Sequence, residues 1–156
     1  MFKIRKDGIT AWSPLEGGIL TGKYLNNNMP DDSRISKLKG KFPNAWEKNK
    51  RDWEPKLIKL QNLAKEKLNC SLTQLSIAWV IRNQDVSTAI LGAMKPEQLI
   101  ENLGALEVSN KITKEILEEI ENIMKNAPKG EVDYFNNFSS MPIRRNIKEG
   151  INKTEF

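Results

Sequence analysis

Apolar positions recur along this chain with two periods, and each period marks a kind of element. Leu57, Leu60, Ala64 and Leu68 fall at spacings of three and four, which predicts an amphipathic helix over residues 54–68. Pro55 suits its first turn, and Asn69 is placed to close it. Ser71-Leu72-Thr73-Gln74 has the form of a capping box. It predicts a second helix with Leu75, Ala78, Trp79 and Arg82 on adjacent turns, ending near Asn83. Pro96, at the favoured first position, opens a helix through Leu99, Ile100 and Leu103 to Gly104. The last helix spans residues 113–125, where Ile116, Leu117, Ile120, Ile123 and Met124 form one stripe that Asn126-Ala127-Pro128 ends.

Two short stretches lack the helical period. Residues 8–12, bounded by Asp7-Gly8 and Ser13-Pro14, and residues 86–91, rich in β-branched side chains, both read as buried strands. Pro14 disfavours helical geometry at Ser13, so the first strand is expected to stop there. Gly92-Ala93-Met94-Lys95 forms a tight connection, and residues 25–44 read as a long loop. The resulting order is βαβα, which makes the two strands parallel neighbours in an α/β fold. Two parallel strands can neither close a sheet nor cover its faces. The architecture is therefore expected to be incomplete, and the isolated chain poorly folded or oligomeric. The expected division is residues 1–128 as the body and residues 129–156 as a polar, basic, partly disordered tail. Tyr134, Phe135 and Phe138 are the tail's apolar groups.

Composition narrows the chemistry. The net charge is +5 over 156 residues. Lys37, Lys39, Lys41, Lys48, Lys50 and Arg51 cluster around Trp46, with Trp53 next to them, a basic-aromatic segment. Elsewhere lysines alternate with Asp and Glu, so a solvated face or an anion-binding flap is expected and no nucleic-acid partner. The run Asn26-Asn27-Asn28 is read as biased codon usage. With no histidine and a single cysteine, Cys70, the chain cannot hold a cysteine–histidine nucleophile or an internal disulfide. Glu115, Glu118, Glu119 and Glu121 read as the solvated face of the last helix, with no metal site expected. No apolar run nears the roughly 20 residues needed to span a bilayer. Residues 1–7 lack the apolar core of a secretory leader. A cytoplasmic location with no membrane insertion follows as the expectation.

Trp12-Ser13-Pro14-Leu15, Gly18-x-x-x-Gly22-Lys23-Tyr24, Ser33-Arg34 and Gly92-x-x-x-x-x-Gln98-x-x-Glu101-Asn102, in this order, resemble the C-terminal half of an aldo-keto reductase. The likeness is greatest to the voltage-gated potassium channel β-subunit branch, and it covers roughly residues 8–125. The resemblance implies a partial (β/α)8 TIM barrel: its last two strand-helix units, an extended loop and a C-terminal helix. It also implies NADP as cofactor. Trp12 would stack on the nicotinamide. Ser13 and Pro14 beside it would also bind the cofactor, and the loop Leu15 to Lys23, with Leu15, Glu16, Gly17 and Lys23, would cover the pyrophosphate, with Arg34 adding charge. Gly92, Met94, Gln98, Glu101 and Asn102 would hold the adenosine end, with Lys95 next to the 2′-phosphate. Glu16, Asp32 and Met94 depart from that branch, which has a small residue, an aromatic and a serine there. Taken without the resemblance, Trp12 reads as a core tryptophan and the 98–102 face as a solvated helix surface.

The family's catalytic Asp, Tyr, Lys and His are implied to lie on the first four strands, and none matches this chain. No catalytic residue is therefore assigned. Three readings stay open. One is an NADP-dependent oxidoreductase whose catalytic strands are absent from this chain. The second is a non-catalytic channel-subunit-like regulatory protein. The third is a basic interaction module built on residues 37–51 and the tail. The partners expected are NADP(H) together with a missing N-terminal half, a second copy or a channel. NADPH binding by the chain alone is expected to be weak or absent.

Overall fold

A computed structural model describes residues 8–38 and 45–127. The chain divides into two units, Met1–Lys125 and Asn126–Phe156, and the description concerns almost entirely the first. The expectations for the N-terminal residues 1–7 and for the tail, including Tyr134, Phe135 and Phe138, lie outside the described residues.

Strand β1 (Ile9–Trp12) pairs in parallel with β2 (Val86–Ile90), with Thr10 opposite Thr88 and Trp12 opposite Ile90. The register slips between Ile9 and Thr10. The strands approach closely there: a Cβ on Gly8 would lie 1.7 Å from Ser87 Oγ, so only glycine fits. Between the strands the chain runs through a 3-10 segment (Glu16–Thr21), α1 (Arg34–Lys37), α2 (Ala45–Leu68) and α3 (Leu72–Ile81). After β2 come α4 (Pro96–Leu103), α5 (Ala105–Ser109) and α6 (Lys114–Met124). A parallel pair needs such a crossover, and helices supply it.

The core lies between helices. It is built from Leu57, Leu60, Ala64 and Leu68 of α2, Leu72, Leu75 and Ala78 of α3, Ala105 and Val108 of α5, and Ile116 and Ile120 of α6. Ile19, Tyr24 and Leu25 close it from the loop after β1. Among the described residues, no buried one belongs to a strand. The expectation of buried strands is thus corrected: Trp12 is 78% exposed and Ile90 51%. The reason is the one foreseen for two parallel strands, because no further strand flanks the pair among the described residues.

Local signals set several helix ends. Ser71 Oγ accepts from the Gln74 amide at 3.2 Å and Gln74 Oε1 accepts from the Ser71 amide at 3.1 Å, a complete capping box. Gln74 Nε2 also donates to the Glu101 carbonyl at 3.0 Å, tying the start of α3 to α4. Ser71→Ala should lower stability by about 1 kcal/mol, read as a smaller urea midpoint with an unchanged slope. An unchanged midpoint would show that the cap is idle. Thr113 caps α6, and Lys125 ends it in a left-handed conformation.

Three expectations are corrected. Helix α2 starts at Ala45, not near residue 54, and Pro55 lies inside it. Pro55 cannot bond the Arg51 carbonyl, at a cost of about 3 kcal/mol in a helix interior. Burial of Trp46 and packing of Trp53 against the core offset this, since each large apolar side chain contributes about 1.5–3 kcal/mol. Half of the basic-aromatic segment is consequently helical, while residues 39–44 lie outside the described residues. Residues 25–38 are not a featureless loop either, because α1 forms with Ser33 as its cap. Asn26 and Asn27 adopt φ of 56° and 58°. Asparagine tolerates that left-handed region, so the run has a backbone role beyond codon usage.

Candidate functional site

The candidate residues gather at the C-terminal end of β1 and in the loop after it. Trp12 is the last residue of the strand, exposed and opposite Ile90. Ser13 turns the chain with φ of 55°, and its carbonyl accepts from the Glu16 amide at 2.9 Å. Leu15 then presents one carbonyl to two amides, those of Gly18 at 2.9 Å and Leu20 at 3.2 Å. Glu16, Gly17 and Gly18 are left-handed in succession, with φ of 46°, 63° and 95°. Two glycines make such a run tolerable. Glu16 is exposed.

Two basic side chains lie against this diglycine turn. Lys23 Nζ is 2.8 Å from where a Cβ on Gly18 would stand, and Arg34 Cδ is 3.9 Å from the equivalent point on Gly17. A side chain at Gly18 would displace the ammonium. Thr21 Oγ1 donates to the Gly18 carbonyl at 2.8 Å and tightens the turn. Ser33 orients the chain at Arg34 by accepting from the Ser36 amide at 3.3 Å, while its own amide donates to the Pro30 carbonyl at 2.9 Å. The result is a backbone turn with the Lys23 ammonium against Gly18 and the aliphatic stem of Arg34 beside Gly17. The Glu16, Gly18 and Leu20 amides donate within the turn, so a donor this site offers an anion is the Lys23 ammonium, and the Trp12 ring lies exposed at the strand end.

The second cluster follows β2. Gly92 has nothing within 4 Å of an added Cβ and faces open space. Met94 is 73% exposed, and its amide donates to Gln98 Oε1 at 2.9 Å. Lys95 stands at the N-terminus of α4 with no side-chain cap, followed by Pro96. Gln98 and Glu101 are exposed, but Asn102 is buried at 5% exposure. These three residues, one face by spacing, are therefore split by packing: two look outward and Asn102 looks inward. Asp32, the other departure in the loop, is exposed.

Gly18 and Tyr24 stand in the motif that carries the resemblance, but neither is among the residues expected by name to bind the cofactor. The adjacency Gly17-Gly18 is the signal for the first. Tyr24 stands in the Gly18-x-x-x-Gly22-Lys23-Tyr24 motif, but its contact with the turn is made only through the fold. Its hydroxyl donates to the Gly17 carbonyl at 3.4 Å, and it is 1% exposed. Cys70 lies away from this site, with burial pushing its thiol pKa up against a smaller lowering by Lys111. Among the described residues no group of three or more His, Cys, Asp or Glu could hold a metal ion, and no helix is long and apolar enough to cross a membrane.

Comparison with known proteins gives this geometry a family. The aldo/keto reductase family model matches residues 4–125. The "Putative voltage-gated potassium channel subunit beta" of Schizosaccharomyces pombe (strain 972 / ATCC 24843) is 42% identical over 125 residues, covering 78% of this chain and 35% of that protein. The chain thus spans about a third of the length of that curated relative. Strand, glycine turn, flanking cations and second strand with its helix all fall inside the matched residues, and the chain belongs to the aldo/keto reductase family.

Proposed function

We propose that this chain forms the cofactor-holding part of an NADP-dependent oxidoreductase. The observation that carries the reading is the diglycine turn flanked by Lys23 and Arg34, directly after a strand that ends in an exposed tryptophan. Trp12 is open to stack on a nicotinamide ring, and stacking fixes which face of the ring meets a carbonyl substrate. The turn and its two cations hold the pyrophosphate. Gly92 leaves room for adenosine, Glu101 is free to bond it, and Lys95 at the start of α4 favours the extra phosphate of NADP over NAD. When bound, NADPH supplies a hydride; the protein supplies orientation and charge. Tyr24 is no proton donor in this reading, because it is buried and its hydroxyl is committed to Gly17.

A second reading, a non-catalytic regulatory subunit of a potassium channel, is supported by the name of the S. pombe relative. It keeps the cofactor site and drops turnover. Both readings place the protein in the cytoplasm. Calorimetric titration of the 156-residue chain tests the shared part. The expected result is weak, saturable NADPH binding that exceeds NADH binding, with no aldehyde turnover. Equal affinity for the two would remove the role given to Lys95, and no binding would remove the cofactor reading.

A further inference from the structure

Tyr24 meets three things at once. Its hydroxyl donates to the Gly17 carbonyl at 3.4 Å, and the Lys23 ammonium lies 5.2 Å from its ring centroid. The ring packs against Trp46 of α2, with centroids 6.2 Å apart and planes tilted by 38°. Both rings are almost wholly buried, Tyr24 at 1% exposure and Trp46 at 2%. The backbone just beyond is tied to the same helix. The Asn26 amide donates to Glu54 Oε1 at 2.8 Å, and the Lys50 ammonium donates to Asn27 Oδ1. Asn28 Nδ2 donates back to the Lys23 carbonyl at 2.8 Å.

These contacts bear on the turn's chemistry. Gly17 and Gly18 have the widest backbone freedom in the loop, and freedom left in a binding turn is lost again when an anion docks. A carbonyl oxygen also repels a phosphate. Drawing the Gly17 carbonyl onto a buried hydroxyl holds it to the protein side, and a cation over a tyrosine ring is favoured at that place. We propose that Tyr24 is a positioning residue. It presets the Gly17–Gly18 backbone and the Lys23 ammonium for a diphosphate; Trp46 anchors its ring from α2, and Glu54 holds the Asn26 backbone two residues on. The proposal rests on the cofactor reading above and adds to it the internal support that the turn requires.

Tyr24→Phe tests it, because the ring and its packing on Trp46 remain while the hydroxyl is lost. Two measurements are needed on the whole chain: amide hydrogen exchange, and titration with inorganic pyrophosphate, adenosine 2′-phosphate and NADPH. Exchange at Gly18 and Leu20 should rise about fivefold, the loss expected for one net hydrogen bond, with Leu75 to Ala78 of α3 unchanged. Affinity for pyrophosphate and NADPH should fall by a similar factor, while adenosine 2′-phosphate, which has no 5′-phosphate and needs only the cluster after β2, binds as before. Glu54→Ala should likewise speed exchange at Asn26 and at the turn. If wild-type protein binds the probes and Tyr24→Phe alters neither turn exchange nor pyrophosphate affinity, or weakens all three probes alike, the positioning role is overturned and the cofactor reading stands. If wild-type protein binds none of the probes, the cofactor reading falls and this role falls with it.

Discussion

Trp46→Ala should unfold a large part of this chain's stability margin. Trp46 is 2% exposed, packs on Tyr24 and sits in the first turn of α2. Truncating a buried tryptophan costs about 3–5 kcal/mol. Small domains hold only about 5–15 kcal/mol in total. The loss should also be local in character. Residues 45–54 are held in the helix against an internal proline, and Trp46 is their main buried anchor. Without it, α2 should shorten toward Pro55, the start that the sequence alone suggests. Circular dichroism should show less helix before the main transition, and the urea midpoint should fall. A Trp46→Ala protein with native helix content and an unchanged midpoint would refute this account of why the helix crosses Pro55.

Removing the two cations of the turn should have the largest effect on ligand binding. A charge-assisted hydrogen bond contributes about 1.5–3 kcal/mol. Arg34 is exposed, so solvent screening places it at the low end of that range. Lys23, half-buried and lying over Gly18, should cost more. Lys23→Ala is expected to weaken NADPH binding about tenfold or more, Arg34→Ala somewhat less, and the pair together to abolish measurable binding. The wild-type affinity should fall as salt rises, and that dependence should flatten in the double variant. Titrations at two salt concentrations check both statements. Retained affinity in the double variant would mean that the anion sits elsewhere.

The sequence carried the elements whose signals are local. The capping box at Ser71, the proline opening α4 and the apolar stripe of α6 each rest on residues within one or two turns, and each element stands where its pattern implies. The start of α2 was illegible because it depends on Trp46 meeting Tyr24, a contact between residues far apart in sequence. Helix α5 is a five-residue element, too short for periodicity to mark. Strand exposure was legible only indirectly, through the argument that two parallel strands cannot cover themselves. The ordered motifs after β1 and β2 pointed to the family, which the match over residues 4–125 establishes. Their internal support was hidden. No spacing rule shows that Asn102 turns inward or that Tyr24 reaches back to Gly17.

The central claim is that Trp12 and the turn after it form one site for nicotinamide and pyrophosphate. Tryptophan fluorescence during NADPH titration addresses it most directly: Trp12 is 78% exposed, Trp79 46% and Trp46 buried, so the Trp12→Ala variant separates the Trp12 signal from that of Trp79. The account predicts saturable quenching in the wild type, its loss in Trp12→Ala, and its shift to higher concentration in Lys23→Ala. Quenching that survives Trp12→Ala unchanged, or no quenching at any NADPH concentration, would contradict it.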